Sequence, residues 1–314
     1  MAQSETHHLI MDNRVHVDQA KFANLKDSVV VLTGGANGIG ASTLHRLYNA
    51  SAKIVFGDYD SGAAEKLTSS LSGGAHKPIF VQIDASKYED NIRLFRTALD
   101  AYGRVDHAFA IAGIIEKGKW FDPNLTVETV ERAETLQTDL VKVDVNFVGV
   151  AYFTRIAVVY LRHGWKEGDD KSIVLISSAA GVRDSPGLFM YQCSKHAVMG
   201  LLRSTRKILW ERDHIRISAI CPAISETQMT VNIIDQFKAS DQAINTADDV
   251  AKYIVGLSIA KEMHGKAIYV EGGRGWEIMD GLDRTMPGWL GEEPTQRLRE
   301  HLKTVAQGDG WKIE

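Results

Sequence analysis

The sequence predicts an α/β protein: a single doubly wound domain around a seven-stranded parallel sheet, with an extension at each end. Two observations predict it. Short continuous apolar runs alternate with helical patterns from Ser28 to Val270, as parallel strands buried on both faces require. The first run passes straight into a glycine-rich stretch that opens a helix, and the second ends in an acidic residue.

The chain has 314 residues, 44% hydrophobic and 24% charged, with net charge −4, an ordinary globular composition with room for a large core. Mild acidity gives no reason to expect nucleic acid or an anionic membrane as a partner. No apolar run reaches the ~18 residues of a membrane-spanning helix. The polar N-terminus lacks the apolar core of a secretory signal, so a cytoplasmic protein is expected. Cys193 and Cys221 form neither a CxxC nor a Cys/His metal spacing, so no metal is expected and buried free thiols are. His7-His8 reads as a solvated terminus.

Residues 1–26 read as an N-terminal extension. Ser28–Thr33 is the first strand, followed by Gly34-Gly35-Ala36-Asn37-Gly38-Ile39-Gly40 and a helix through Leu44 and Leu47. Lys53–Gly57 is the second, ended by Asp58. Further strands are expected at Ile79–Ile83, His107–Ile111, Ile173–Ser177, Ile215–Ile220 and Ala267–Val270. Helices are expected around 61–71, 86–101, 126–162, 188–212 and 246–261. The tail from 274 to 314, with Trp276, Trp289 and Trp311, reads as a C-terminal extension containing a helix at 294–307, covering the body or a neighbouring subunit. The catalytic domain is therefore 27–273.

A glycine-rich turn between a strand and a helix lets backbone approach a pyrophosphate, which the helix N-terminus then attracts. Gly34, Asn37, Gly38, Ile39 and Gly40 are the candidates. A carboxylate at Asp58 can accept from a ribose 2′-hydroxyl and repels a 2′-phosphate. The adjoining Tyr59 and Asp60 bring no cation, so NAD is favoured over NADP. Asp84, with Ala85, follows the third strand; it can bond an adenine amino group or cap the helix at 86–101.

Tyr191 and Lys195 stand four apart at the start of a helix, hence on one face. An ammonium beside a phenol favours the phenolate and lowers its pKa. A tyrosine so tuned exchanges protons near neutral pH. A serine hydroxyl at the end of the neighbouring strand can hold a substrate oxygen beside it.

Together these residues resemble the short-chain dehydrogenase/reductase family over about 26–273, and with it a Rossmann fold. Thr33-Gly34-Gly35-Ala36-Asn37-Gly38-Ile39-Gly40 matches T-G-x-x-x-G-x-G, and Tyr191 with Lys195 matches Y-x-x-x-K. The family's serine, thirteen residues before the tyrosine, matches Ser178; its central-helix asparagine matches Asn146. The resemblance implies Tyr191 as general acid/base. It implies that Lys195 binds the nicotinamide ribose and lowers the tyrosine pKa. It implies that Ser178 holds the substrate oxygen and that Asn146 holds a relay water through its backbone. Ala112 and Gly113, and then Ile224, Ser225 (by backbone) and Thr227 (by hydroxyl), match cofactor contacts. Two departures stand out: Ala110-Ile111-Ala112-Gly113 where the family has Asn-Asn-Ala-Gly, and Pro222-Ala223 where it has Pro-Gly. The first is expected to loosen the central helix's anchoring.

Substrate contacts should come from the loops at 114–121, 179–190 and 224–245. Trp120, Phe121, Phe189, Met229 and Ile233 make these apolar; Arg183 and Glu226 are the charged exceptions. A lipophilic secondary alcohol or its ketone fits better than a sugar or an acid, and the overall look is similar to fungal natural-product members. The expected protein is a homodimer or homotetramer. The rival readings are an NADPH-dependent ketoreductase, a non-redox isomerase or cyclase on the same scaffold, and a nucleotide sensor without catalysis.

Overall fold

The computed structural model describes residues 13–116, 120–132 and 140–307. His7-His8 and Trp311 lie outside them. Strands in chain order are β1 (Arg14–Val15), β2 (Val29–Thr33), β3 (Lys53–Asp58), β4 (Ile79–Gln82), β5 (His107–Ala110), β6 (Lys171–Ile176), β7 (Ile215–Pro222), β8 (Ser225–Glu226), β9 (Asn245–Thr246), β10 (Ala267–Glu271) and β11 (Arg274–Glu277). Helices are α1 (Gly38–Asn49), α2 (Ser61–Ser70), α3 (Tyr88–Tyr102), α4 (Val127–Val130), α5 (Gly149–Arg162), α6 (Phe189–Asp213), α7 (Ile234–Ala239), α8 (Ala247–Ile259), α9 (Met279–Leu290) and α10 (Glu292–Gln307).

The main sheet runs β4-β3-β2-β5-β6-β7-β10-β11-β1. The first seven of these are parallel, as expected; β11 and β1 add two antiparallel strands at one edge, which the sequence reading did not foresee. A two-residue strand such as β1 has no periodicity to detect. It exists because Arg14 and Val15 pair with Trp276 and Gly275. Strand order reverses between β2 and β5, and ligands of such sheets bind at the strand C-termini there.

Alternate residues of each strand feed two separate cores. Val31, Val55, Ala108, Leu175 and Ala219 face α3, α5 and α6, through Phe95, Phe153 and Leu202. Val30, Leu32, Ile54, Val174 and Ile220 face the opposite way, towards Leu44 of α1 and Ile254 of α8. Each such side chain is worth ~1.5–3 kcal/mol removed from water, so double burial fixes the strands as unbroken apolar runs.

The single helix expected at 126–162 is instead α4, the undescribed 133–139, and a helix over Leu140–Arg162 with a π turn at Asp144–Val148. By length and composition alone Leu140–Arg162 is apolar enough to cross a membrane. Its apolar side is spent on the sheet, where Val150, Phe153, Ala157 and Leu161 are buried. The tail forms two helices, α9 and α10, where one was expected; Gly291 at φ +95° divides them. Cys221 is buried, but Cys193, expected to be buried, is exposed because it lies on the outer side of α6.

Candidate active site

The glycine loop is built by close approaches. Thr33 Oγ1 accepts from the amides of Ile111 and Ala112, both at 3.2 Å, tying the end of β2 to the end of β5. Gly34 then turns at φ +70°, and a Cβ there would sit 2.7 Å from Ala112 Cα. A Cβ on Gly40 would meet the Gly34 carbonyl oxygen at 1.8 Å. Both positions exclude any side chain, so the cradle stays open to a ligand. Asn37 precedes α1 without a side-chain cap, leaving first-turn amides for an anion. Gly38 faces Thr227: a Cβ there would be 3.4 Å from Thr227 Cγ2, which puts the loop after β7 directly over the glycine loop. Ile39 packs inward against the core.

Asp58 is half-buried at the end of β3. Its Oδ2 accepts from Ala36 N at 2.8 Å and its Oδ1 from Asp60 N at 3.0 Å. The carboxylate thus braces the glycine loop and keeps lone pairs for hydroxyl donors. Capping of α2 falls to Asp60, which accepts from Ala63 N at 2.9 Å. Tyr59 is 77% exposed beside it. Asp84 does not cap the helix that follows: α3 begins at Tyr88 with Lys87 before it, and Asp84 Oδ1 accepts instead from Ser86 N and Oγ. The Ala85 carbonyl packs where a Cβ on Gly149 would be 2.3 Å away.

Ser178, Tyr191, Lys195 and Asn146 converge at the C-terminal ends of β5 and β6. Ser178 opens a 3-10 turn, its Oγ accepting from Ala180 N at 3.1 Å, and it hydrogen-bonds the Tyr191 phenol. Tyr191 is in the first turn of α6, and Lys195 Nζ lies 5.6 Å from its ring centroid. That ammonium is buried and donates to Ile176 O at 3.1 Å.

Burial holds the Lys195 amine down at about 8. Burial also pushes the Tyr191 phenol above its ordinary value, while the Ser178 hydrogen bond pulls it back. The expectation that Lys195 lowers the phenol's pKa is therefore corrected for the protein by itself: the amine is turned to Ile176 O, and burial raises the phenol.

Asn146 does more than the sequence reading gave it. Its side chain is fully buried; Oδ1 accepts from Ile114 N and Nδ2 donates to Ile114 O, both at 2.8 Å. Nδ2 also reaches Ser194 Oγ at 3.3 Å, which donates to the Tyr191 carbonyl at 2.6 Å. The loop after β5 is thereby tied to the central helix through Ile114. The π turn around Asn146 closes with Gly149 N–H on Asp144 O, a displaced helical ladder of the kind found at working sites. Gly113 lies beside this group; a Cβ there would be 3.4 Å from Asn146 Oδ1 and 3.5 Å from Lys195 Nζ.

Beyond β7, the Ile224 carbonyl accepts from Asn245 N at 3.0 Å, and Ser225 pairs with Asn245 in the β8–β9 ribbon. Thr227 and Thr230 cap each other across a 3-10 turn. Glu226 pairs with Lys238 at 2.6 Å, an exposed contact within this loop. On the facing wall, Phe121 meets Phe189 edge to face at 4.8 Å. Met229, Val231 and Ile233 are exposed apolar residues of the last loop.

Glu116 is a buried carboxylate on the loop after β5 that accepts from two amides at the start of α6. No local signal marks it: it stands between Ile115 and Lys117-Gly118-Lys119 like an ordinary loop acid.

An open parallel sheet with a glycine cradle at its switch point and a Ser–Tyr–Lys group beside it defines a nicotinamide-dependent oxidoreductase. The profile of the short chain dehydrogenase family matches residues 28–238, and the chain belongs to that family. It is an alcohol dehydrogenase/reductase of this kind. It is 28% identical over 270 residues to the short-chain dehydrogenase/reductase ascJ of Acremonium egyptiacum, spanning 85% of this chain and 86% of that one. It is 28% identical over 286 residues to 5′-hydroxyaverantin dehydrogenase of Dothistroma septosporum, spanning 87% and 92%. Among solved structures it resembles a 3-ketoacyl-(acyl-carrier-protein) reductase from Brucella melitensis complexed with NADH. The TM-score there is 0.68 at 26% identity, over 79% of this chain and 98% of that one.

Proposed function

We propose that the enzyme oxidises a secondary alcohol on a lipophilic small molecule to the ketone, with NAD as the cofactor. The observation that carries the cofactor choice is Asp58: a half-buried carboxylate held by Ala36 N at the mouth of the glycine loop, with Tyr59 and Asp60 and no cation following it. A 2′-phosphate there would meet fixed negative charge. The exposed apolar residues Phe121, Met229, Val231 and Ile233 support a lipophilic substrate, as does likeness to a dehydrogenase named for hydroxyaverantin.

In this reading Gly34, Gly38, Ile39 and Gly40 hold the pyrophosphate with the free amides of α1, and Asp58 holds the adenosine ribose. Asp84 and Ala85 flank the adenine; Ala112, Gly113, Ile224, Ser225 and Thr227 border the nicotinamide end. The bound cofactor supplies the hydride acceptor. The protein's residues handle the oxygen and its proton. Ser178 donates to the substrate oxygen and fixes it beside Tyr191. Tyr191 takes the hydroxyl proton as the carbinol carbon gives up hydride, so the C–O single bond becomes a carbonyl. Lys195 turns from Ile176 O towards the cofactor ribose and favours the phenolate. We place the enzyme in the cytoplasm as a homodimer or homotetramer; free thiols fit a reducing compartment, and exposed Val159 and Ile208 on α5 and α6 offer apolar contact area.

The test is Tyr191→Phe. Turnover followed by nicotinamide absorbance should fall at least ~100-fold, the scale of losing a general acid/base, while NAD still binds in a fluorescence titration. Near wild-type turnover sinks the assignment.

A further inference from the structure

Tyr191 occupies the weakest part of its own helix. It is the third residue of α6, whose first three amides have no acceptor within the helix. The preceding residue, Leu188, has no side chain able to cap them, and the loop from Val182 to Leu188 is largely exposed. A first turn in that condition frays, and a phenol carried on it would wander from Ser178.

Glu116 supplies what the local sequence lacks. Its Oε1 accepts from Phe189 N and its Oε2 from Tyr191 N, each at 2.6 Å, so one carboxylate caps two of the three orphan amides. An anion here also meets the positive end of the helix dipole. Glu116 is only 7% exposed, and charge-assisted bonds in such a setting are short and strong. Its own position is fixed two residues upstream, where Asn146 clamps both polar groups of Ile114. The same two segments touch again where Phe121 packs on Phe189.

We propose that Glu116 is a positioning residue for the reaction: from the substrate-side loop it holds the first turn of α6 in register, so that the Tyr191 phenol stays on Ser178. This rests on Tyr191 being the proton-transfer residue.

Glu116→Gln keeps the shape but turns one acceptor into a donor facing an amide N–H. It should lower kcat about tenfold or more, the scale on which losing a helix cap acts. The KM for NAD should stay within about twofold, because the glycine cradle lies on other elements. The pH profile adds a readout that a merely structural role would not move. Oxidation needs the phenol deprotonated and the Ser178 bond lowers its pKa, so loosening that bond should shift the rising, acid-side limb of kcat to higher pH. If Glu116→Gln does not fold, Glu116→Asp, which keeps both acceptors one methylene shorter, carries the same readouts. An unchanged kcat and limb, or a kcat loss that only tracks a loss of NAD-binding fraction, overturns the proposal. Tyr191→Phe run beside it separates the two readings: if that variant is active, the function fails; if it is inactive while both Glu116 variants match wild type, only the positioning role fails.

Discussion

At Lys195 a full ammonium sits in a buried site, bonded to the Ile176 carbonyl and beside the Tyr191 ring. Its folded pKa of about 8 lies below the ordinary 10.5, so between those values the unfolded chain binds more protons. Stability therefore rises with pH through that window, and the full cost stands below about 8. Lys195→Met should stabilise the fold at pH 7 by up to about 3 kcal/mol, the scale of a shift this large, and the gain should vanish above pH 10.5. Urea unfolding at neutral and alkaline pH checks this; parallel pH profiles for the two proteins would refute it. Loss of activity with gain of stability is the usual mark of a functional group held against its preference. The Tyr191/Lys195 spacing was plain in the sequence. The sign of the phenol's shift was not, because desolvation depends on what packs around the ring.

Among elements, the β2–α1 loop was the most legible. Its glycines are dictated by distances to Ala112 and to Gly34's own carbonyl, and a spacing pattern records such collisions faithfully. Asp58 belongs to this element as much as to the cofactor, because it holds Ala36 N. Asp58→Ala and Asp58→Asn should therefore differ. Both should erode the NAD over NADP preference about tenfold or more, since each removes a charge facing a phosphate. Asp58→Ala alone should also leave Ala36 N without its partner and lower the melting temperature. Cofactor ratios unchanged in both variants would remove the ribose assignment. The start of α6 was the least legible element. Its cap comes from Glu116, 73 residues earlier in the chain, and no local signal points to so distant an acceptor.

Over the whole molecule, residues assigned to the two extensions close one edge of the sheet. Val15, Phe22 and Leu25 are buried, and β1 pairs with β11. Removing residues 1–27 should cost at most about 9 kcal/mol from these three side chains, a large share of a domain's net stability. A denaturation midpoint that does not move would mean this edge contributes nothing. The tail differs: Trp289, Leu298 and Leu302 remain exposed on α9 and α10.

By itself the sequence determined the seven parallel strands, the glycine turn and the Tyr191/Lys195 pair. Each is written in neighbouring residues: apolar runs for double burial, glycines for steric collisions, a four-residue spacing for one helical face. Only the tertiary structure decided that Asn146 clamps Ile114, that Glu116 caps the helix of Tyr191, and that β1 joins β11. These are contacts between segments far apart in the chain, and their strength comes from burial, which no single stretch of sequence can specify.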